Sequence, residues 1–332
     1  MKKRGIFRYI LIFSATAVAL CLTFFIAVNT GGLSSSVSQL FRGLFIEYDA
    51  TVAVILELRF PRVISAMLGG AVMALSGVLM QAVMRNPLAD PGIIGVTSGA
   101  ATAAVIVSSF FPSLALFTPI FSFFGGMCAF AAVYILSFSN NSSPVRMILT
   151  GIAVDAFFTG LYSGLNAAFG NSYSGAASVV NASVSLNTWN DVKVLAVCLV
   201  LSVMLCMIGA SRCDLLSLSD SVVTSLGVNV KRTRLLLSLL SVFTASVFTS
   251  AVGSVSFLGL VVPHIARLLV GSSHRRLIPY SAVLGALVFL VADTVGRSVA
   301  YPYEISPSII MSLIGGPVFI ILLKRKSGIY GE

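Results

Sequence analysis

The sequence has little charge, little histidine and no closely paired cysteines, and each shortage excludes a class of protein. Only 10% of its 332 residues are charged, whereas soluble domains carry about 25%, so this is not a soluble domain. The five cysteines form no C-x-x-C pair, and the two histidines stand beside no cluster of cysteines or carboxylates, so no metal site is predicted. A G-x-x-x-x-G-K-[ST] motif is also absent, and the chain therefore has no loop of the kind that cradles ATP phosphates.

The sequence is instead rich in long apolar stretches. Hydrophobic residues make up 57% of the chain, and the mean hydropathy is +1.01. Ten stretches approach the ~20 residues that a helix needs to cross a bilayer, without the polar alternation of transmembrane barrels. The predicted fold class is an all-α polytopic membrane protein, with a single transmembrane domain over residues 1–332. The ten predicted crossings, of which the eighth is short, are Ile10–Val28, Val63–Met84, Ile93–Phe111, Phe117–Phe138, Val145–Phe169, Val192–Ala210, Leu235–Val252, Phe257–Val270, Ile278–Ala300 and Pro307–Leu323.

The basic residues predict the orientation of these crossings. With the N-terminus in the cytoplasm, 16 Lys and Arg residues fall on the inner side and 5 on the outer side, which accounts for all 21. The opposite orientation would invert this positive-inside bias, so both termini are predicted to be cytoplasmic. The net charge of +10 is thus a topology signal, and no nucleic-acid partner is inferred from it. The start, "MKKRGIFRYILIFS", is followed by no A-x-A cleavage site and is interpreted as a retained first helix.

Three polar segments interrupt the apolar ones. Residues 29–62 and 170–191 are predicted outer loops, and "VSQLFRGLF" in the first is a candidate interfacial helix. Residues 211–234 form the longest inner loop, where "SLSDSVVTSLGV" predicts a one-sided amphipathic helix with Ser219 as N-cap and Gly227 as its stop. Such a helix can dock a partner protein or lie on the lipid surface. Its apolar residues are Leu218, Val222, Val223 and Leu226.

Three motifs follow one another in a fixed order. The first is "RFPRVISAMLGGAVMALSGVLMQAVMRNPLADPGIIGVTSGA", in which the Asn-Pro and Asp-Pro steps break the helix at the inner surface. The second is "SFLGLVVPHIARLLVGSSHRRLIP", and the third combines "VADTVGR" with "SLIGGPVFIILLKR". This set resembles the FecCD family of ABC-transporter permeases over roughly residues 55–325.

The resemblance implies a fold, a function and partners. Such permeases have ten transmembrane helices with a short eighth, lie in the bacterial cytoplasmic membrane, and work as dimers of identical or paralogous subunits. Two cytoplasmic ATPase subunits hold the ATP and magnesium, so the permease itself has no cofactor and is not an enzyme. An extracytoplasmic substrate-binding lipoprotein delivers the cargo, which we expect to be a ferric siderophore, with haem second and cobalamin third. A non-transporting partner or sensor with the same fold is the alternative of a different class.

The resemblance also implies roles for outer residues. Arg59 and Arg62 match the family's R-x-P-R positions and Arg297 its third arginine, which meet acidic residues of the binding protein; a guanidinium suits this because it pairs bidentately with carboxylates. Asp293, four residues before Arg297, is expected to position that arginine. The alternative is that the arginines are anchors at the lipid headgroups.

Inner residues receive roles in the same way. Asn86, Leu88 and Thr150 map to the family's cytoplasmic gate, although Asn86 is also a candidate turn cap before Pro87. Asp155 lies in an apolar helix, where a carboxylate is costly; it either faces the dimer path or hydrogen-bonds a neighbouring helix. The resemblance assigns ATPase coupling to Leu215, Leu216, Leu218, Ser219, Asp220, Val223, Ser225, Leu226 and Gly227.

Overall fold

The fold is that of a computed structural model, which describes residues 2–30, 39, 42, 46, 49–137, 144–169, 183–300 and 303–327. The candidate interfacial helix "VSQLFRGLF", apart from Gln39 and Arg42, and most of the outer loop 170–191 lie outside these residues. Within the described ranges no strand is present, and each of the ten predicted crossings is a helix. The helices are α1 (Lys2–Asn29), α2 (Ala50–Val54), α3 (Phe60–Val83), α4 (Val96–Phe110), α5 (Thr118–Ser137), α6 (Pro144–Phe169), α7 (Trp189–Leu216), α8 (Asp220–Ser225), α9 (Val230–Val252), α10 (Leu258–Val270), α11 (His274–Val299) and α12 (Pro307–Ser327).

Nine of the ten predicted crossings fall into two groups by length and composition, and α6 is in neither group. Within the described residues, six helical segments are long and apolar enough to cross a membrane, among them the continuous Ala50–Val83 and His274–Val299. Three apolar helices are shorter, namely Val96–Phe110, Leu258–Val270 and Pro307–Ile321. The short eighth crossing predicted from the sequence corresponds to α10, which has 13 residues.

The first outer loop ends earlier than predicted, because α2 already begins at Ala50. The Oδ1 atom of Asp49 accepts hydrogen bonds from the backbone N–H groups of Thr51 (2.8 Å) and Val52 (3.2 Å), which satisfies donors that an N-terminus otherwise leaves unpaired. A π-helical turn over Ile55–Arg59 then leads directly into α3. Arg59 and Arg62 therefore lie on a helix, and the predicted loop boundary at residue 62 is wrong.

The inner segment 211–234 is also more helical than predicted. Its first residues, through Leu216, belong to the end of α7, and its last residues, from Val230, begin α9. Between them α8 has only 6 residues. Ser219 is the N-cap residue, as predicted, although its side chain makes no capping bond. Gly227 adopts φ +77°, the left-handed conformation with which helices often end.

Helix α3 lies at the centre of the bundle and packs against α7, α9, α10 and α11. Of its most apolar 18-residue window, 83% of the residues are buried. Gly70 of α3 and Gly285 of α11 face each other so closely that a Cβ atom on either would overlap the other's carbonyl oxygen. Small residues permit such close approach inside a membrane, where the hydrophobic effect does not hold helices together.

Helices α4, α5 and α6 form a second group beside this centre. Gly99 of α4 and Gly125 of α5 make another close backbone approach. By contrast, a Cβ atom on Gly160 or Gly164 of α6 would meet no described atom within 4 Å. None of the described residues therefore covers this face of α6.

Candidate functional site

Charged side chains gather at the two ends of α3. The outer charge cluster comprises Arg62, Asp293, Arg297 and Glu304, and the inner charge cluster comprises Arg85, Asp220 and Arg234. Arg62 and Arg85 are 23 residues apart along α3 and the turn after it, which at 1.5 Å per residue is roughly 35 Å. The two clusters therefore lie near opposite surfaces of the membrane.

Arg62 is the centre of the outer charge cluster. Its Nε and Nη2 atoms donate to Oδ1 of Asp293 at 3.2 and 2.9 Å, and its Nη1 donates to both carboxylate oxygens of Glu304 at 2.9 Å. The Asp293 side chain is fully buried and that of Arg62 is 9% exposed. Two carboxylates thus occupy one guanidinium, in the charge-assisted geometry that makes such bonds strong.

The other two outer arginines hold the end of α1. Arg297 forms an ion pair through Nε with Oδ2 of Asp293 (3.2 Å) and donates from Nη2 to the carbonyl oxygen of Ala27 (3.2 Å). Arg59 donates from Nη1 to the carbonyl oxygen of Val28 at 3.0 Å. Because the last carbonyls of a helix have no partner within it, and its C-terminus favours positive charge, both arginines stabilise this helix end.

Glu304 connects the outer charge cluster to a further segment. It lies between α11 and α12, and its Oε2 accepts a hydrogen bond from Ser185 Oγ at 2.9 Å, just before α7. Partial burial raises the pKa of Glu304, but the charge and hydrogen bonds of Arg62 outweigh this effect, so its pKa lies below the usual value of 4.5. The carboxylate is therefore ionised near neutral pH.

The structure brings the predicted docking residues together but directs them inward. Arg62 and Arg297 are each only 7% exposed, and Asp293 is fully buried, while Arg59 is half-buried. The i,i+4 pair expected between Asp293 and Arg297 is present. Any carboxylate from outside would have to compete with Glu304 for Arg62.

The inner charge cluster joins three elements. Arg85 pairs through Nη2 with Oδ1 of Asp220, the first residue of α8, and donates through Nε to the carbonyl oxygen of Leu216, the last residue of α7. Oδ1 of Asp220 also accepts from Arg234 Nη2 of α9 at 3.0 Å. Beside this cluster runs a groove of about 810 Å³, lined by Tyr134, Asp220, Thr224, Gly227, Val228, Asn229, Val230, Lys231 and Arg234.

The predicted coupling residues divide into buried and exposed ones. Leu216 and Val223 are fully buried, and Leu215 is half-buried. Leu218 and Leu226 are 42% and 58% exposed. The polar members Ser219, Asp220, Ser225 and Gly227 are exposed as well. Apolar side chains therefore point away from this chain around α8.

The predicted gate residues lie in and beside the turn after α3. Oδ1 of Asn86 accepts from the backbone N–H of Leu88 at 3.0 Å, so the expected turn cap is present. Asn86 and Leu88 are half-buried, as is Thr150 near the start of α6. Gly151, next to Thr150, packs against the backbone of Ile94 in the same connection, which brings the start of α6 to this turn.

Asp155 is half-buried in α6, and its carboxylate interacts with the side chain of Ser98 in α4. A Cβ atom on Gly95 would lie 3.2 Å from Cα of Asp155. The φ of +84° at Gly95 is a conformation that glycine adopts freely. An interaction with a neighbouring helix, one of the two roles that the sequence allowed for Asp155, is therefore present within this chain, and a position facing the dimer path stays a prediction.

Sequence reasoning missed several partners of these residues. Glu304 belongs to no motif and lies 242 residues from Arg62 along the chain, so no local spacing could identify it. The contact between His274 and Asp214 was likewise not predicted. Oδ1 of Asp214 lies 2.6 Å from Nδ1 of His274 and accepts a hydrogen bond from the backbone N–H of His274. Among the described residues, no group of three or more His, Cys, Asp or Glu side chains could hold a metal ion.

Comparisons with known proteins agree in family and fold. The model of the FecCD transport family matches residues 19–325. The chain is 36% identical over 313 residues to a Staphylococcus aureus (strain Newman) protein named a probable heme-iron transport system permease, IsdF, covering 94% of this chain and 95% of that protein. A solved structure described as an inward-facing metal-chelate type ABC transporter is 31% identical, with a TM-score of 0.78, covering 95% of this chain and 99% of that one. PsaBC from Streptococcus pneumoniae shares the fold at 16% identity, with a TM-score of 0.58, covering 86% and 95%.

The fold and these matches define a multi-pass membrane permease. The chain belongs to the FecCD transport family and is a permease of a type II ABC importer.

Proposed function

We propose that this permease carries iron(III)-siderophore complexes across the bacterial cytoplasmic membrane, in a dimer driven by two separate ATPase subunits. The observation that carries the proposal is the family match over residues 19–325, with a fold like that of a metal-chelate type transporter. The absence of an ATP-binding loop of the P-loop kind from the sequence requires the nucleotide chemistry to reside in a partner.

The path is proposed to run along the open face of α6. Thr159, Gly160, Ser163 and Gly164 are exposed there, and nothing described covers the two glycines. Small and hydroxylated side chains leave room for a bulky polar complex and can hydrogen-bond to it. A second permease subunit facing this surface would close the path.

Coupling is proposed to occur at α8. The exposed Val222 of this helix and Leu218 and Leu226 beside it offer apolar contact to an ATPase surface, while the buried Val223 fixes the helix to this chain. Helix-in-groove docking uses such a division between an anchored side and a free side. The gate turn with Asn86 and Leu88 is proposed to respond to this docking, together with Thr150.

The binding protein is proposed to dock on the outer side near the arginines. Arg59 is the more accessible of the first two, whereas Arg62 is occupied by Asp293 and Glu304. Docking through Arg62 therefore requires a carboxylate of the binding protein to replace Glu304. The buried pair of Asp293 and Arg297 supports this surface from below.

Haem is the second candidate cargo, because the Staphylococcus aureus relative is named a heme-iron permease. The experiment is uptake by proteoliposomes that contain this chain, its cognate ATPase and its binding protein, with iron-labelled siderophores and haem offered separately. ATP-dependent uptake of siderophore, with little haem uptake, is the expected result. Uptake of haem alone would make haem, and not a siderophore, the cargo. If no cargo is taken up in an ATP-dependent manner, a sensor or partner role is favoured.

A further inference from the structure

Arg85 has an unusual backbone conformation at the inner end of α3. Its φ is +48°, a region that residues with a Cβ atom seldom adopt and that glycine adopts freely. The turn could therefore have been built more easily with glycine. An arginine in this position indicates that its side chain contributes something that glycine cannot.

The side chain of Arg85 connects the turn to two other elements. Its guanidinium pairs with Asp220, the first residue of α8, and donates to the carbonyl oxygen of Leu216 at the end of α7. The planar fork of an arginine allows one side chain to make both bonds at a fixed angle. The carboxylate of Asp220 continues the connection to Arg234 in α9.

The backbone on the other side of Arg85 is the proposed gate turn. The N–H of Arg85 donates to the carbonyl oxygen of Ala82, and the N–H of Asn86 donates to that of Gln81. The side-chain Oδ1 of Asn86 in turn accepts a hydrogen bond from the backbone N–H of Leu88. Since these bonds leave the turn little freedom, a displacement of Arg85 must displace Asn86 and Leu88 as well.

The ion pair between Arg85 and Asp220 is partly exposed, at 29% and 52% of the two side chains. Such pairs contribute little to stability, so this contact is poorly suited to hold the fold together. Together with the bond from the same guanidinium to the carbonyl oxygen of Leu216, it can instead transmit a displacement between the two segments.

We propose that Arg85 is a positioning residue that transmits displacement of α8 to the gate turn. When an ATPase moves α8, the pair with Asp220 pulls on the guanidinium, and the short stiff turn carries the movement to Asn86 and Leu88. This inference rests on the function proposed above. The bend that allows this movement lies at the end of α3, and helix ends are positions where changes in φ and ψ are commonly absorbed.

The test uses Arg85→Gly, which suits the backbone and removes the connection, in the complete complex with ATPase and binding protein. Copurification, thermal unfolding, ATP hydrolysis and solute moved per ATP are measured. We expect assembly, stability and hydrolysis close to the parent, while solute per ATP falls by about tenfold, within the range usual for coupling between sites. Arg85→Lys keeps the positive charge but lacks the planar guanidinium, so it should restore part of the solute moved per ATP.

Arg275→Ala is the matched control, since Arg275 is another inner arginine that contacts a neighbouring helix, through Ser211 at 3.2 Å. It should leave solute per ATP unchanged. Full coupling in Arg85→Gly would overturn the inference, and so would its failure to assemble, which would make Arg85 a docking residue. Absence of ATP-dependent uptake in the parent complex would instead refute the proposed function.

Discussion

Replacing Asp293 with Asn tests the outer charge cluster, because this carboxylate is fully buried between two arginines. The substitution keeps the size of the side chain but removes the charge that balances Arg62 and Arg297. Removing one partner of a buried ion pair costs about 3–5 kcal/mol. With about 2 °C lost per kcal/mol in a large domain, the melting temperature should fall by about 6–10 °C.

The assay is thermal unfolding in detergent, followed by a thiol-reactive dye, whose signal rises above that of the exposed Cys21 and Cys128 when Cys206 and Cys213 lose their burial. Glu304→Gln is the matched control, because this second partner of Arg62 is 48% exposed. Exposed pairs contribute only about 0–1 kcal/mol, so its melting temperature should fall by about 2 °C at most. If Asp293→Asn unfolds within 2 °C of the parent, or if Glu304→Gln is the less stable variant, the description of the cluster as a buried structural unit is refuted.

Four further predictions concern packing, pH, the gate and docking. Gly70→Ala should destabilise by about 1–3 kcal/mol, because it forces a Cβ against a neighbouring backbone, whereas Gly164→Ala on the open face should fold normally; equal yields of folded protein would contradict this. Because the folded-state pKa of Glu304 is depressed below 4.5, its stabilising contribution is complete above 4.5 and is lost as the pH falls through the folded value. The melting temperatures of the parent and of Glu304→Gln should therefore differ most above pH 4.5 and converge as the pH is lowered below it; a difference that grows as the pH falls would refute this. Leu88→Gly should increase solute efflux from proteoliposomes without ATP, and a variant as tight as the parent would remove Leu88 from the gate. Arg59→Glu should weaken association with the binding protein while membrane insertion is unchanged, and unaltered binding would show that Arg59 serves only to hold α1.

The arginines at positions 59 and 62 also show why a double charge reversal would mislead. Arg62→Glu would place a third carboxylate against Asp293 and Glu304, so its loss of binding could follow from misfolding alone. Arg59 donates to the carbonyl oxygen of Val28, whereas Arg62 and Arg297 form the ion pairs with Asp293. The single substitution is therefore the informative one.

The ten crossings could be predicted because an apolar stretch of suitable length has few alternatives in a bilayer. The residues at which these helices begin and end were predicted less accurately. Glu57 and Arg59 interrupt the apolar pattern, yet both residues lie within the helical segment that begins at Ala50. Asp49 caps the start of this segment, and Arg59 donates a hydrogen bond to the end of α1. Local composition does not record such a tertiary contact.

The outer residues show the same limit. Asp293 and Arg297 are four residues apart, and their pairing followed from helix geometry. The contacts of Arg62 with Asp293 and with Glu304 join residues more than 200 positions apart, which a single sequence without an alignment cannot reveal. The sequence therefore grouped the arginines at one end of the helices but did not reveal that Arg62 and Arg297 are buried.

The central claim is that this chain provides a path while separate proteins supply the cargo and the energy. It is tested most directly by measuring accumulation of an iron-labelled siderophore in proteoliposomes, with and without the cognate ATPase. The account predicts accumulation only when the ATPase is present and ATP is available on its side of the membrane. Accumulation by the isolated chain, at the same rate without ATPase, would contradict it.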